Sequence, residues 1–318
     1  MAEITSAYEA LGALDWDDVH DASDLLTDAV KERAAESKVR QLIFQEEETP
    51  GLAVSWRQDV PSGSDDEVEA LAEFAESPVI DPSKAPELVA KIDARGVAAR
   101  VSYEQTKFNG GKAVQREINH LLNTVQRGES SDALAVLAEG VAESDPRKKV
   151  ETYTFSDPVT SPDTDVLSGL LAANELIMTA NIDGIQFGYK GDLLWANPVT
   201  AMRIVTHKTI RDLYVGNIAS ENPIFQGDLG VVAGQWSVLP DPALPLGEAY
   251  MLQAGDVDGS SIGTEFVWED GHAFLSGFYP DGEPVRGGKT RSFRADYSKW
   301  SKMGLRAPKS IVKLAGLV

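Results

Sequence analysis

Five residues, Gly259-Ser260-Ser261-Ile262-Gly263, carry the Gly-x-Ser-x-Gly spacing of a hydrolase nucleophile elbow. That chemistry needs a strand before the serine and a helix after it, so that the hydroxyl stands exposed on a strained turn. Here Asp256-Val257-Asp258 precedes the motif and the alternating segment Thr264–Trp268 follows it. The flanks predict a Gly/Ser loop instead of a nucleophile. The same stretch holds part of a calcium loop, with Asp256, Asp258, Gly259 and Glu265 at positions three, five, six and twelve. Ala254 stands at position one, where the motif requires a carboxylate, and no helix pair flanks it, so a turn is expected. The four histidines, His20, His120, His207 and His272, have no metal-ligand spacing among them. His120 is expected on a helix surface and His272 just past an exposed turn. Acid groups such as Asp17-Asp18, Glu46-Glu47-Glu48 and Asp65-Asp66 lie in polar runs without apolar walls to separate their protonation, so solvation is their expected role. No Gly-x-Gly-x-x-Gly and no phosphate-binding loop occurs. The sequence therefore offers no cofactor-binding, metal or catalytic set, and the expectation is a protein that is not an enzyme.

Composition narrows the setting. The chain has 318 residues, 42% of them hydrophobic and 25% charged, which suits a folded protein of two domains or one elaborated domain. There are no cysteines, so disulfides and thiolate metal sites are excluded, and a reducing compartment fits. No run approaches the roughly 20 apolar residues of a membrane span, so no membrane partner is expected. The start, Met1-Ala2-Glu3-Ile4-Thr5, lacks the basic and apolar regions of a secretory signal, which predicts action where the protein is made or release by cell lysis. Net charge is −21, but it is split: residues 1–90 carry −16, residues 91–285 carry −13 and residues 286–318 carry +8. Most of such a surface disfavours binding to phosphate backbones. An acidic front and a basic end can attract each other between copies, or simply be solvated faces.

The elements follow from periodicity. Ala22, Leu25, Leu26, Ala29 and Val30 predict a helix from Asp21, with an acidic outer face. Leu52, Val54 and Trp56 alternate with small or polar residues and predict a half-buried strand. Residues 59–86 hold Pro61, Pro78, Pro82 and Pro86 and a run of acids, which predicts a long loop with a short helix near Val68–Glu76. Strands return through Leu88–Ile92 and Val97–Tyr103. A loop of that length in a compact chain usually has a use, such as reaching a partner. Asn109-Gly110-Gly111 breaks the chain before a helix with the stripe Val114, Ile118, Leu121, Leu122 and Val125. Gly128 then divides the pattern, leaving either one rod or two helices, the second capped by Ser130 or Ser131. Val150–Phe155 predicts a strand. Ser161-Pro162 predicts an N-cap followed by a helix with the buried stripe Val166, Leu167, Leu170, Leu171, Ile177 and Met178 that Gly184 closes. Asp192–Ala196 predicts a strand, and Asn197-Pro198 the opening of another helix. From Gly227 onward the pattern is strands: Val231-Val232, Trp236–Val238, Ala249–Leu252, and Thr264–Trp268 folding back through an Asp270-Gly271 turn to Ala273–Leu275.

Three stretches carry a family likeness. The end of the chain, Ser292-Phe293-Arg294-Ala295-Asp296-Tyr297 followed by Ala307-Pro308-Lys309-Ser310-Ile311-Val312-Lys313-Leu314, resembles the closing strands of tailed-phage major capsid proteins of the Hong Kong ninety-seven fold. Gly188–Pro198 resembles the strand ending in Asn-Pro that opens an axial-domain helix in that family. Gly227–Val232 with Leu244–Tyr250 resembles the axial segment before re-entry into the peripheral domain. The resemblance implies an α+β fold with these parts: residues 1–48 as the N-terminal arm, 49–95 as the extended loop, 96–150 as the first peripheral part with its spine helix, 151–255 as the axial domain, and 256–318 as the returning peripheral strands.

It further implies a shell subunit that self-assembles into pentamers and hexamers of an icosahedral head enclosing double-stranded DNA, in the virion and assembled in the bacterial host cytoplasm. A separate scaffolding protein, a portal and decoration proteins are the implied partners. Candidate interface residues are Trp56, Arg57, Lys84 and Lys91 on the extended loop and Arg286, Arg291, Arg294, Lys299 and Lys302 at the basic end. Some relatives crosslink a loop lysine to a neighbour, for which Lys84 or Lys91 would serve. Arms and loops that reach neighbours add interface area beyond a compact core, and heterologous contacts that close build rings. An acidic lining also avoids holding DNA too tightly. Two other readings stay open, an encapsulin-like compartment of the same fold with protein cargo and an α+β hydrolase using Ser261.

Overall fold

The computed structural model describes residues 27–28, 38–61, 87–109, 111–213, 231–254, 256–257, 260–281 and 291–318. The expected helix from Asp21, apart from residues 27 and 28, and the expected helix at 68–76 lie outside the described residues. The chain divides into two compact units, each built from three stretches of sequence. Unit 1 comprises residues 1–54, 89–132 and 264–304, and unit 2 comprises 55–88, 133–263 and 305–318. The expected segments 96–150 and 256–318 therefore each run through both units.

The described elements begin with α1 (Lys38–Leu42), β1 (Phe44–Thr49), β2 (Ala53–Arg57), β3 (Glu87–Lys91), β4 (Asp93–Ser102), α2 (Tyr103–Asn109) and α3 (Gly111–Ala142). Next come β5 (Glu151–Thr154), α4 (Val166–Met178), β6 (Asn181–Ile182), β7 (Ile185–Gln186), β8 (Leu193–Ala196), α5 (Pro198–Thr206) and α6 (Lys208–Arg211). The remainder is strand: β9 (Val231–Val232), β10 (Trp236–Pro240), β11 (Ala249–Leu252), β12 (Asp256–Val257), β13 (Ser260–Ser261), β14 (Gly263–Trp268), β15 (Phe274–Leu275), β16 (Tyr279–Pro280), β17 (Ser292–Leu305) and β18 (Ile311–Ala315). As the alternation predicts, β2 and β3 pair in a two-stranded ribbon.

Unit 1 is organised around β17, a strand of 14 residues whose side chains alternate between core and surface. Residues 292–301 pair antiparallel with β4, from Ser292 opposite Ser102 to Ser301 opposite Asp93. β14, β15 and β16 also pair with β17, and β1 extends the sheet beyond β14. The expected Asp270-Gly271 hairpin does not form, because β14 and β15 each pair with β17 instead of with one another. A 3-10 turn at Glu269–Gly271 separates them. A long strand between them offers each a full backbone partner, which outweighs the local turn signal. The expected stripe of α3 covers the sheet: Val114, Ile118, Leu121 and Leu122 pack with Ala99, Val101, Phe293, Ala295 and Tyr297.

Of the two possibilities at Gly128, the structure adopts the single rod, with α3 continuous over 32 residues. One glycine costs a helix only about 1 kcal/mol, and the leucines and alanines beyond it are strong helix formers. The short helix α2 ahead of it was not foreseen.

Unit 2 holds a mixed six-stranded sheet in the order β5-β18-β11-β8-β10-β9. β18 pairs parallel with β5 and antiparallel with β11, and β8 pairs antiparallel with β11 and parallel with β10. The four residues of β8 and the four of β11 are all buried, so these central strands are continuously apolar. Helix α4 packs against β5, β11 and β18. Its start differs from expectation: the N-cap is Asp165, whose carboxylate accepts from Ser168 N at 3.1 Å, not Ser161. Residues 158–164 instead form tight turns closed by the bonds Ser161 N to Pro158 O and Thr164 N to Ser161 O. The buried face of α4 is Val166, Gly169, Leu170, Ala173 and Ile177; Leu171 and Met178, expected in the buried stripe, are instead exposed because they turn away from that face. Gly169 is dictated by packing, since a Cβ there would lie 2.2 Å from Phe155 Cε1. Gly184 closes no helix. With Asp183 it turns the chain between β6 and β7, at φ +90°. Helix α5 opens as expected, with the Asn197 side chain accepting from Val199 N at 3.0 Å and Pro198 in its first turn.

Candidate functional site

The alternation of β17 sets the electrostatics of unit 1. Phe293, Ala295, Tyr297, Lys299, Ser301 and Met303 share the inward parity, so one lysine is carried into the core. Lys299 is only 5% exposed, and its ammonium donates to the carboxylate of Glu265, itself 1% exposed on β14. Glu129 on α3 lies 3.9 Å from the ammonium and Glu46 on β1 lies 3.8 Å from it. A cavity of about 360 Å³ opens beside them, lined also by Gly96, Val125 and Tyr297. Arg95 and Asp132 pair at its edge. One cation among three carboxylates ties β17, β14, β1 and α3 together. The Lys299 ammonium is engaged by these carboxylates, so the cluster ties the sheet to α3. Sequence reasoning missed it because residues 265 and 299 are 34 apart. The available signals were Glu265 inside an otherwise buried strand and Lys299 on the inward parity.

The basic end is largely matched within its own unit. Arg294 Nε donates to Asp296 at 2.7 Å, and that hydrogen bond raises the Arg294 pKa above its usual value. The Tyr279 hydroxyl also donates to Asp296, which pushes the tyrosine pKa up. In unit 2, Lys309 bonds Glu151 at 2.8 Å and Lys313 approaches Glu248 at 3.0 Å. The Lys313 ammonium also stands over the ring of Tyr250, whose hydroxyl is pushed up to about 12, first by burial and then by Glu248. The remaining candidates stand as follows. Lys302 is half-buried, and Arg291 is exposed in the left-handed region at φ +47°. Arg57 and Lys91 are exposed on the β2–β3 ribbon, and the Trp56 indole donates to Leu305 O at 3.1 Å. Lys84 and Arg286 lie outside the described residues. The structure therefore does not gather the described candidates into one pocket; they lie on the ribbon and on or just before β17.

The motif candidates disperse as well. Ser260–Ser261 pairs with Asp256–Val257 in a small hairpin and leads into strand β14, so the helix an elbow requires is absent there. Glu265 of the partial calcium loop is held by Lys299, and among the described residues no group of three acids or histidines could hold a metal ion. His120 is exposed on α3 as expected, and His272 lies 3.5 Å from Glu48. No described helix is long and apolar enough to cross a membrane. What the surface does offer is apolar side chains left uncovered. They include Val89 on the ribbon at 73% exposure, Phe108 at the end of α2 at 86%, and Val199 and Met202 on α5. Such groups suit contacts with other molecules.

Comparison with known proteins agrees with this distribution. Residues 85–314 match the family model described as phage capsid protein. The chain is similar in structure to the capsid of cyanophage P-SCSP1u, at 12% identity and TM-score 0.56, covering 86% of this chain and 85% of that one. It is similar to a phage-related protein of Bordetella bronchiseptica, at 13% identity and TM-score 0.55, covering 92% and 96%. It is also similar to a virus-like particle from Pyrococcus furiosus, at 13% identity and TM-score 0.51, covering 91% and 97%. No curated protein matches the sequence. At these identities the structural likeness establishes the fold, which is the Hong Kong ninety-seven capsid fold. The family match spans well over half of the sequence, and the chain belongs to the phage capsid protein family.

Proposed function

We propose that this chain is the major subunit of a tailed-phage head, assembled as pentamers and hexamers into an icosahedral shell around double-stranded DNA. The match of residues 85–314 to the capsid family carries the reading. The protein works through its surfaces and not by catalysis. In this reading the β2–β3 ribbon and the residues between its strands are the extended loop that reaches a neighbour, with Trp56, Arg57, Lys84 and Lys91 at its contacts. Arg286, Arg291, Arg294 and Lys302 present the basic end to an adjacent copy, and Lys299 supports that surface from within. Unit 1 corresponds to the peripheral domain and unit 2 to the axial domain. The shell forms in the host cytoplasm with a separate scaffolding protein, and a portal and decoration proteins complete the virion.

The acidic excess of the chain supports a container that does not grip its contents, because few phosphates can be neutralised by a surface of net charge −21. The reading is tested by negative-stain microscopy of the purified chain, alone and with proteins of a phage lysate. Closed shells are expected. A compact single subunit under every condition, absent from virions, overturns it. The likeness to the Pyrococcus furiosus virus-like particle favours a second reading, a compartment without a genome. Nuclease-protected double-stranded DNA inside purified particles separates the two.

A further inference from the structure

Strand β4 pairs with β17 along one side and with no other described strand. The register fixes which main-chain groups that leaves open. Tyr103 N donates to Arg291 O at 2.7 Å, one step beyond the pair Ser102–Ser292. Hydrogen-bonded pairs recur at every second residue of an antiparallel ladder, so the main-chain groups of Arg95, Val97, Ala99 and Val101 turn toward β17. Those of Ala94, Gly96, Ala98 and Arg100 turn away from it. Ser102 shares their parity, and its N–H finds a side chain, Gln105 Oε1, at 3.2 Å. Ala94, Gly96, Ala98 and Arg100 are all exposed, and at Gly96 the exposed atoms are the main chain itself. No proline, lysine or bulge blunts this edge over the ten residues of β4. An open edge of that length is a template for another strand.

A second element of the chain lacks a strand. The β2–β3 ribbon pairs with no other described strand, and two strands alone are marginally stable in water. Ile92 N donates to Leu52 O at 2.8 Å, so by the same alternation Glu87, Val89 and Lys91 turn their main-chain groups outward. Val89 is also the exposed apolar side chain of that strand. The ribbon cannot fold back onto β4 of its own copy. Only Ile92 separates β3 from β4, and a hairpin reversal takes at least two residues. We propose that the β3 edge of the ribbon from a second copy adds to the open edge of β4 as a further strand. The inference rests on the reading of the chain as a shell subunit, and it names what the ribbon grips. Edge and ribbon are different parts of one chain, so the contact is heterologous and passes from copy to copy. Main-chain hydrogen bonds carry it.

The test is backbone hydrogen exchange of the full chain, read residue by residue in the unassembled subunit and in assembled particles. On assembly the amides of Gly96, Ala98 and Arg100, and those of Val89 and Lys91, should slow about ten-fold. The amides of Val97 and Ala99 face β17 in both states and serve as the reference. Ala98→Pro deletes an outward N–H and no bond to β17, a position where edge strands tolerate proline. The variant subunit should unfold at the same denaturant concentration as the unaltered one, and its ribbon amides should stay fast under assembly conditions. Unaltered particles whose edge amides exchange as fast as in the lone subunit overturn the inference and leave the shell reading standing. Particles with a protected edge and a fast ribbon do the same, because another segment then fills the edge. Ala98→Pro particles with the ribbon protected as before also overturn it. A chain that never assembles overturns both readings. Should the variant fail to fold, exchange in the unaltered particles still decides the matter.

Discussion

The two sheets bury different things. In unit 1 the central strand alternates, and its inward face delivers Lys299 to the carboxylates of Glu265, Glu129 and Glu46. In unit 2 the central strands β8 and β11 are apolar throughout, and neutral groups make the polar contacts next to them. Asn174 Oδ1 accepts from Gly191 N at 2.9 Å, and Trp195 Nε1 donates to Asp241 at 3.2 Å. Lys309 and Lys313 pair instead with Glu151 and Glu248, carboxylates that are themselves solvent-exposed. Unit 1 is therefore held partly by matched charge, which is intolerant of losing one partner. Unit 2 is held by shape, which is intolerant of changes in volume.

Breaking that contrast should give graded effects. The largest belongs to unit 1: Glu265→Gln leaves a buried ammonium with its closest partner neutralised and should cost about 3–5 kcal/mol in denaturant unfolding. Lys299→Met combined with Glu265→Leu and Glu129→Gln should recover most of the loss, since no deeply buried charge is then left unmatched. In unit 2, Trp236→Ala should cost a comparable ~3–5 kcal/mol by opening a cavity among fully buried side chains, with no dependence on salt. A smaller effect is expected from Asn197→Ala, about 1 kcal/mol for the lost N-cap of α5, read by the same unfolding curves.

The alkaline limb sharpens the comparison. Tyr250 has its pKa raised from 10.0 to about 12 by burial, so the neutral phenol is the form the fold favours. Its contribution is complete below about pH 10 and is lost as pH rises through about 12. Tyr250→Phe should therefore flatten the fall in melting temperature across that window. At the small end, Arg294→Ala should leave stability unchanged within error, because the pair with Asp296 is solvent-exposed. A defect in particle assembly with unaltered subunit stability is the expected result there.

Local signals were legible in the sequence and long-range ones were not. The stripe of α3, the Asn197-Pro198 opening of α5 and the alternation of β2 rest on neighbours within a few residues, and each formed as expected. The hairpin at Asp270-Gly271 failed because β17, more than 15 residues further along, competed for both strands. The start of α4 moved from Ser161 to Asp165 because the turns at 158–164 satisfy that backbone first. The Lys299–Glu265 pair and the contact of the His207 ring with Ser161 O depend on residues 34 and 46 positions away, a distance at which periodicity carries no information. At the basic end, the sequence identified which side chains are positively charged. It did not reveal that Arg294, Lys299, Lys309 and Lys313 have acidic partners in their own unit.

The central claim is that this 34.3 kDa chain functions only as part of a shell of its own copies. Sedimentation of the purified protein with and without scaffolding partners measures this directly. The expected result is a discrete, closed particle whose mass is a large multiple of the subunit. A lone 34.3 kDa species at every concentration, pH and salt, with or without those partners, would contradict it.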